Sequence, residues 1–552
     1  MLARLLLPAL IGFAHTAAAS PAAPPALVLQ ITVDQLRGDM LPRHRDGFGP
    51  DGFRRLLDRG IVFTRAHHSA ANTLTASGHA VLVTGAATAD HGIVANDWHD
   101  RALGRAVYCV EDERFPIVGG PGRGRSPRWL TSSTIGDEII AASGGRARAF
   151  AVAAKDRAAI IPAGRSGRAL WLSDATGAFV GSTYHFREGL PSWVEEWNQR
   201  RVFARYRDAV WRPLQPDSPP AEDSAAGNPH ARFPAELRRV FPHPLAARSD
   251  AVLLASLAYT PFSDELVAEF AAELLEREQL GRRGGTDYLA VSLAATDYIG
   301  HAWGPESAEY VDNLARLDAT LARLFAAVDR AVGADRWLAV LSADHGVDDI
   351  PESRLAAGRP AGRFNPAALR SAASAALRVE FRMEADLIAA FVPPGFYLDE
   401  QRVREAGLEP RAVAEKLAAH LRTRPGVLAA CTLEQIQRGE GLDPGLAPLV
   451  RRATHPERSG DVVIVQAPHW YLYPDAEGYA AMHGSPHDYD THVTLILAGP
   501  GLQPAKVTTR VDPGGIAPTL ATLLGVRKPS GCSAAVLPGV TRRSSEGIGA
   551  GN

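Results

Sequence analysis

Four short hydrophobic runs along the chain each end at ionisable residues. The runs cover residues 26–33, 148–154, 288–293 and 337–341. The ionisable groups that follow them in turn are Asp34, Lys155-Asp156-Arg157, Asp297 and Asp344-His345. Short runs that are apolar at nearly every position are typical of strands buried on both faces of a parallel sheet.

This repetition predicts the fold class. Parallel α/β sheets hold their ligands in the crevice beyond the carboxyl ends of the strands, which is where the charged groups stand. Apolar residues at three- and four-residue spacing predict helices over residues 263–278 and 307–332. We therefore expect an α/β protein: a single large domain, residues 26–540, with a central, mostly parallel sheet flanked by helices.

Two segments depart from this pattern and are predicted to be insertions that form a cap. Residues 183–247 are rich in Trp, Arg, Pro and Asp without clear periodicity, and residues 350–459 carry strands and helices of their own. The core is expected to resume at residues 461–465 and to re-enter the sheet at residues 493–497.

The N-terminus has the pattern of a secretory signal peptide over residues 1–20. One basic residue, Arg4, precedes an apolar run at 5–14 and small residues at 17–20. No later run reaches the roughly 18 to 20 apolar residues of a membrane span. We expect a soluble periplasmic or secreted protein with no membrane partner, and a disordered tail at residues 541–552.

The net charge and the number of cysteines limit the binding partners and the cross-links that the chain can have. The 552-residue chain has 59 Lys and Arg against 61 Asp and Glu, so its formal net charge of -2 gives no reason to expect a nucleic-acid partner. Any selectivity for an anion must be local. Three widely separated cysteines allow at most one disulfide and no thiolate metal cluster.

A cluster of hydroxyl residues at 72–79 precedes an apolar run that stops at Gly85. Thr75 is expected at the start of a helix, where free N–H groups and the helix dipole favour an anion such as phosphate. Thr75 would then be placed to act as a nucleophile. The alternative is that the hydroxyls of Thr73, Thr75 and Ser77 only cap the helix.

The groups expected near the strand ends form a mixed oxygen and nitrogen donor set: Asp34, Asp297, His301, Asp344, His345 and His483. Such a set suits Zn²⁺. It is too large for one tetrahedral ion but would serve two ions about 3.5–4 Å apart, which stabilise both the attacking and the leaving oxygen of a phosphoryl displacement. Taken singly, an Asp-His pair before Gly is usually a turn.

These residues resemble the alkaline phosphatase superfamily, in the branch that unites nucleotide pyrophosphatase/phosphodiesterases with phosphate-irrepressible periplasmic alkaline phosphatases. The resemblance rests on Asp34, Thr75, Thr84-Gly85, His91-Gly92-Ile93, Asp297-x3-His301, Asp344-His345-Gly346, His483-Gly484 and Ile516-Ala517-Pro518-Thr519-Leu520. It implies an exported, zinc-dependent phosphatase that works through a phosphothreonine intermediate.

By this resemblance, Thr75 is the nucleophile and Asn96 contacts the phosphoryl oxygens. The two implied Zn²⁺ sites consist of Asp297, His301 and His483, and of Asp34, Asp344, His345 and the Thr75 oxygen. His487 and His492 occupy the same loop as His483 and are the alternatives for the third histidine.

Lys155 and Arg157 bear on the substrate class. In the monoesterases that the chain resembles, a Lys-x-Arg pair at this place contacts the transferred phosphoryl group, because a monoester dianion offers one more unsubstituted oxygen than a diester. We expect a monomer that acts on small phosphate monoesters. The alternatives are a phosphodiesterase or nucleotide pyrophosphatase of the same superfamily, and a catalytically inert binding protein.

Overall fold

The computed structural model describes residues 24–214, 227–472 and 478–540. The predicted signal peptide and the predicted disordered tail lie outside the described residues. Within them, no helix combines the length and the apolar character that crossing a membrane requires. Cys109, Cys431 and Cys532 are all free thiols.

A ten-stranded sheet runs through the described part of the main domain. Its strands, in spatial order, are Ala505–Val507, Ile61–Phe63, Leu495–Ala498, Trp337–Ser342, Leu27–Val33, Asp287–Leu293, Ala149–Ala153, Arg168–Leu172, Phe179–Ser182 and Ile117–Val118. The five strands from Trp337–Ser342 to Arg168–Leu172 are mutually parallel. Antiparallel strands flank them on both sides. The prediction of a mostly parallel central sheet is confirmed.

The central strands are buried along their whole length. Every residue of Leu27–Val33, Asp287–Leu293 and Trp337–Ser342 is buried. Burial on both faces explains why these runs lack the alternation of polar and apolar residues that a half-exposed strand shows. The four hydrophobic runs of the sequence are therefore the four adjacent strands at the centre of the sheet.

Helices pack against this sheet. Those of the main domain include Phe53–Arg59, Thr75–Thr84, Ile135–Ala142, Asp156–Ala163, Asp250–Leu257, Phe262–Arg277, Ala295–Trp303, Ala308–Val332 and Ile516–Leu524. The two helices predicted from spacing are Phe262–Arg277 and Ala308–Val332. The second begins where the Ser307 hydroxyl accepts a hydrogen bond from the Tyr310 N–H, a usual way to cap a helix start.

A smaller subdomain has its own sheet and core. Its antiparallel strands, in spatial order, are Ile388–Val392, Gly395–Leu398, Val462–Gln466 and Val427–Thr432. Its helices are Pro366–Phe381, Glu400–Glu405, Pro410–Leu421, Leu433–Arg438 and Ala447–Arg452. The expectation that the core resumes at residues 461–465 was wrong, because Val462–Gln466 pairs within this smaller sheet, and an apolar run does not reveal which sheet completes its hydrogen bonds.

The segment at 183–247 contributes to the main core where it is described. Its helix Ser192–Gln199 places Trp193 and Trp197 beside Phe270, with ring centroids 5.4 and 5.2 Å apart. A short antiparallel pair, Val210–Trp211 with His243–Pro244, closes the segment. Its many aromatic residues are therefore packing groups, which explains the lack of a simple helical or strand period.

Candidate active site

The charged residues predicted at strand ends meet at one edge of the sheet. Asp34 follows Leu27–Val33, and Asp344 follows the neighbouring strand Trp337–Ser342. Asp297 lies in the first turn of the helix Ala295–Trp303, which follows the strand Asp287–Leu293 on the other side of the Asp34 strand. All three carboxylates are buried, with at most 3% of each residue exposed.

The first donor group consists of Asp34, Asp344 and His345, whose ligand atoms lie within 4.8 Å of one another. The Nε2 atom of His345 is 3.3 Å from Asp34 Oδ1 and 3.5 Å from Asp344 Oδ2. Both aspartates belong to strand ends that are adjacent in the sheet. The sheet register therefore brings together residues that are remote in sequence.

The second donor group consists of Asp297, His345 and His483, again within 4.8 Å of one another, so His345 is shared. The Nε2 atom of His301 is 3.0 Å from Asp297 Oδ1, four residues earlier on the same helix. The ring of His483 stacks on that of His345, with the centroids 3.5 Å apart. The other two candidate histidines lie elsewhere: Nε2 of His487 faces Gln466 O, and that of His492 faces Thr64 O.

The main chain orients His345 and His483 of these groups and the neighbouring His301. The Nδ1 atoms face main-chain carbonyl oxygens: His345 toward Gly346 at 3.0 Å, His301 toward Ala481 at 2.7 Å and His483 toward Thr73 at 2.8 Å. A carbonyl oxygen only accepts, so each Nδ1 carries a proton, and Nε2 is the nitrogen that would bind a metal. This tautomer and its outer hydrogen bond are usual for a histidine that binds a metal.

Two of the buried carboxylates of the site lack enough neighbouring positive charge to stay ionised easily. Burial, together with the nearby carboxylates of Asp297 and Asp344, raises the pKa of Asp34 well above its ordinary value. Burial raises the pKa of Asp344 to about 7 and lowers that of the His345 imidazole to about 3. Although burial acts to raise the pKa of Asp297, His301 and Lys155 outweigh it and hold that pKa well below its ordinary value.

The donor groups fit divalent cations. Asp34 Oδ1, Asp344 Oδ2 and His345 Nε2 are buried without a hydrogen-bond partner among the described residues. Buried polar atoms are nearly always satisfied, so three unsatisfied atoms that face one another indicate a cation site. Carboxylate oxygen with imidazole nitrogen and no sulfur is a donor set that zinc accepts.

Thr75 is the first residue of the helix Thr75–Thr84 and is 2% exposed. Its Oγ1 lies 3.5 Å from Nη2 of Arg157. The Ala76 N–H at the helix start is capped by Asn96 Oδ1 at 3.0 Å, and the Ser77 hydroxyl donates to main-chain carbonyls instead. Asn96 therefore caps the helix at Ala76, and the Thr75 hydroxyl faces the guanidinium of Arg157.

The Thr75–Thr84 helix packs directly against the first donor group. A Cβ atom at Gly78 would lie 2.3 Å from the main-chain oxygen of Asp344, so only glycine permits this approach. One residue on, the buried His79 places Nε2 3.8 Å from Asp344 Oδ2. These contacts hold Thr75 at the edge of the carboxylate and imidazole cluster.

Arg157 is held by a network that the sequence did not reveal. Its Nη1 donates to the Tyr108 hydroxyl at 3.2 Å, and that hydroxyl donates to Asp156. Asp156 also accepts from Nε of Arg125 at 2.6 Å. The network fixes the guanidinium beside Thr75.

Lys155 contacts one carboxylate of each donor group. Its Nζ donates to Asp34 Oδ2 and to Asp297 Oδ2, both at 2.6 Å. Burial acts to lower the pKa of this ammonium, but Asp297 and Asp34 outweigh it, so the pKa is raised and the group stays protonated. An ammonium has three N–H donors, so one remains after these two bonds.

Residues 28–490 match the family model described as type I phosphodiesterase / nucleotide pyrophosphatase. The chain belongs to this family. It is a member of the alkaline phosphatase superfamily, as its motifs implied.

Relatives of this family member align along most of its length. The alkaline phosphatase PhoV of Synechococcus elongatus is 33% identical over 515 residues, which cover 92% of this chain and 91% of that protein. The alkaline phosphatase PafA of Elizabethkingia meningoseptica is 32% identical over 512 residues, which cover 92% and 93%.

Crystal structures of PafA show how far the likeness extends in three dimensions. The wild-type structure superposes with a TM-score of 0.88 at 31% identity and covers 94% of this chain and 100% of that one. A second PafA structure, with the same TM-score, carries substitutions of a threonine by serine and of an asparagine, a lysine and an arginine by alanine. The fold of this family member is therefore that of PafA over the 94% of the chain that the superposition covers.

Proposed function

We propose that the protein is an exported, zinc-dependent alkaline phosphatase that hydrolyses small phosphate monoesters through a phosphothreonine at Thr75. One observation supports this more than any other. A buried threonine hydroxyl at a helix start lies 3.5 Å from a guanidinium, and its helix packs against a cluster of carboxylates and imidazoles.

The assignment of the metal ligands is part of the proposal. One ion would be held by Asp297, His301 and His483, and the other by Asp34, Asp344, His345 and the Thr75 oxygen. When bound, two zinc ions supply Lewis acidity that lowers the pKa of the threonine hydroxyl and balances charge on the leaving oxygen.

The chain's own residues bind and orient the phosphoryl group. Thr75 Oγ1 loses its proton and attacks phosphorus, and the bond from phosphorus to the leaving oxygen breaks. The leaving oxygen takes up a proton and departs as the alcohol, and the phosphoryl group is carried on Thr75. The Asn96 carbonyl is engaged by the Ala76 N–H, which leaves its NH₂ group to donate to a phosphoryl oxygen. The Arg157 guanidinium, 3.5 Å from Thr75 Oγ1, donates to another phosphoryl oxygen. Charged and polar donors of this kind stabilise the negative charge of the transferred group. Water then attacks phosphorus and releases phosphate from Thr75.

Charge balance favours a dianionic monoester. Three carboxylates and the cations of Lys155 and Arg157 give the cluster a net charge near -1 with its imidazoles neutral. Two bound dications would reverse that sign and attract a doubly charged phosphate. In the PafA variant, the substituted threonine and asparagine have the same spacing as Thr75 and Asn96, and the lysine and arginine the same spacing as Lys155 and Arg157.

The experiment that separates the two leading functions compares an aryl phosphate with its methyl ester. We expect kcat/KM to be higher for the monoester, because Lys155 and Arg157 serve the additional oxygen. Faster cleavage of the diester would instead identify a phosphodiesterase or nucleotide pyrophosphatase, the activities in the name of the matching family. Metal analysis of the purified protein tests the zinc content.

The architecture and location are also proposals. Residues 26–540 would form the catalytic domain, with an insertion at 183–247 that packs into the main core. A second insertion, predicted at 350–459 and extended by the strand Val462–Gln466, would cap the site. Residues 1–20 would direct export to the periplasm or outside the cell, and the product would act as a monomer. N-terminal sequencing of exported protein and sedimentation of the purified chain test these points.

A further inference from the structure

Gln35, directly after Asp34, has a backbone conformation that is uncommon for a residue with a side chain. Its φ is 71°, in the left-handed region, and the residue is fully buried. Such a conformation persists where surrounding contacts hold it. The main-chain carbonyl of Gln35 accepts a hydrogen bond of 3.1 Å from the hydroxyl of Tyr310, a buried residue of the helix Ala308–Val332.

The two donors of Gln35 reach different metal-donor groups. Its main-chain N–H donates to Asp344 Oδ1 at 3.2 Å, and its side-chain NH₂ donates to Asp297 Oδ1 at 2.8 Å. The same Asp344 oxygen also accepts the N–H of His345 at 3.1 Å, which leaves Asp344 Oδ2 directed at its donor group. One residue therefore links the carboxylates of both groups.

The chemistry of an amide suits this place. A neutral NH₂ group donates to Asp297 without adding a charge to three buried carboxylates, whereas a glutamate would add a fourth negative charge and could not donate when ionised. Space for the amide is provided by Gly300, which lies between Asp297 and His301 in sequence. A Cβ atom at Gly300 would fall 1.8 Å from Gln35 Oε1.

We infer that Gln35 is a positioning residue that holds Asp297 in register with the Asp34 and Asp344 group, and so sets the metal affinity of the Asp297 group. The inference rests on the proposed two-metal function. It goes beyond that function because Gln35 is not itself a ligand. Loss of such an outer hydrogen bond to a metal ligand usually lowers metal affinity by about 10- to 100-fold.

The first test replaces Gln35 by methionine, which has a similar length and no donor. Zinc per chain is measured by elemental analysis after equilibration with increasing chelator. We expect Gln35→Met to lose one of its two ions at about 10- to 100-fold lower chelator than the wild type. The second ion should be retained like that of the wild type, because the main-chain N–H still holds Asp344.

Gln30→Met is the matched control. Gln30 is a buried glutamine on the preceding strand Leu27–Val33. Its side chain accepts a hydrogen bond of 3.0 Å from the Tyr288 hydroxyl, and Tyr288 is not one of the proposed metal ligands. It should bind both ions as the wild type does. Gln35→Asn provides a second variant: it tolerates the left-handed conformation, but its shorter arm loses the bond to Asp297, so the same selective loss is expected.

Gly300→Ala tests the inference from the other side of the contact. In the wild-type background the new methyl group displaces the Gln35 side chain, so one ion should again be lost at lower chelator. In a Gln35→Ala background the remaining close neighbour is Tyr310 Cε2 at 3.2 Å, so Gly300→Ala should cause little further loss. Fully additive losses would contradict the proposed contact.

The outcomes separate this inference from the proposed function. A wild-type protein that binds no zinc would overturn both. A wild-type protein with two ions, together with Gln35→Met and Gln35→Asn variants that either keep both ions or lose both in parallel, would overturn the role of Gln35 and leave the phosphatase proposal standing.

Discussion

At the scale of single residues, the proposed reaction depends on one hydroxyl group. Thr75→Ala removes the phosphate acceptor but leaves the carboxylates and imidazoles in place. We expect kcat to fall on the order of 10⁴- to 10⁶-fold, in the range found when a nucleophile is deleted, with circular dichroism unchanged. Trapping of labelled phosphate on acid-quenched enzyme should succeed with the wild type and fail with the variant. Labelling of Thr75→Ala at wild-type levels would place the nucleophile elsewhere.

Arg157 should matter more for monoesters than for diesters. Arg157→Ala removes a charged donor beside Thr75, and the loss of one such donor usually costs about 10²- to 10³-fold in rate. We expect a loss of that size in kcat/KM for an aryl phosphate and a smaller loss for its methyl ester. Tyr108→Phe removes the hydroxyl that accepts a hydrogen bond from Arg157. It should also lower kcat/KM more for the aryl phosphate than for its methyl ester, but both losses should be smaller than those of Arg157→Ala. Equal losses on both substrates would refute the role given to Arg157.

Some residue roles could be predicted from the sequence and others could not. Asp34, Asp297 and Asp344 were predicted to meet because parallel strands align their carboxyl ends. Gln35 was missed because its signal is a backbone angle, and a glutamine after an aspartate has no distinctive pattern.

Lys155 shows a different limit of sequence reasoning. Its place in chain order suggested a contact with the phosphoryl group, which stays a prediction, but the two carboxylates that its Nζ contacts were not foreseen. Side-chain direction depends on charges that arrive from other strands, and a linear sequence does not display them.

At the scale of elements, the helix that carries Thr75 must approach the Asp344 strand end closely. Gly78→Ala would put a methyl group 2.3 Å from the main-chain oxygen of Asp344. Relieving this clash has to move the helix, so we expect about 1–3 kcal/mol of lost stability and a marked loss of activity. Denaturant unfolding and steady-state kinetics measure the two effects.

Gly136→Ala is the control for that prediction. Gly136 lies in the helix Ile135–Ala142, and its new Cβ would meet side-chain atoms of Ala149 and Tyr288 at 3.3 Å instead of main chain. Side chains can yield by a few tenths of an ångström, so activity should be retained. If Gly78→Ala were as active as Gly136→Ala, the close approach of its helix would not be needed for catalysis.

Sequence patterns identified elements better than they identified partners. The long amphipathic helix Ala308–Val332 was predicted from its spacing, because that signal is local. The apolar run at residues 461–465 was assigned to the main core, but the strand Val462–Gln466 belongs to the smaller sheet. Pairing is decided by neighbours far away in sequence, here Gly395–Leu398 and Val427–Thr432.

At the scale of the whole molecule, buried neutral histidines make stability depend on pH. His91 is fully buried, and burial, followed by the nearby His455 and Arg452, lowers its pKa from 6.5 to about 3. Between those values the unfolded chain binds a proton that the folded chain excludes. Exclusion of this proton therefore costs no stability above pH 6.5, and the free energy of unfolding should fall as the pH decreases from 6.5 toward 3.

The contribution of His91 can be isolated by substitution. His91→Gln removes one titrating group, so its free energy of unfolding should fall less steeply with decreasing pH, by up to about 1.4 kcal/mol per pH unit. Denaturant unfolding of the metal-free wild type and variant across this range measures the difference. Parallel curves would show that His91 titrates alike in both states.

The proposed ligands also span nearly the whole chain, from Asp34 in the first central strand to His483 beyond the small subdomain. A nascent polypeptide, whether on the ribosome or in a translocation pore, lacks its last imidazole until almost all of it has emerged. Loading of the proposed ion at Asp297, His301 and His483 would therefore be a late event, and the compartment in which synthesis and transport end would have to supply that ion.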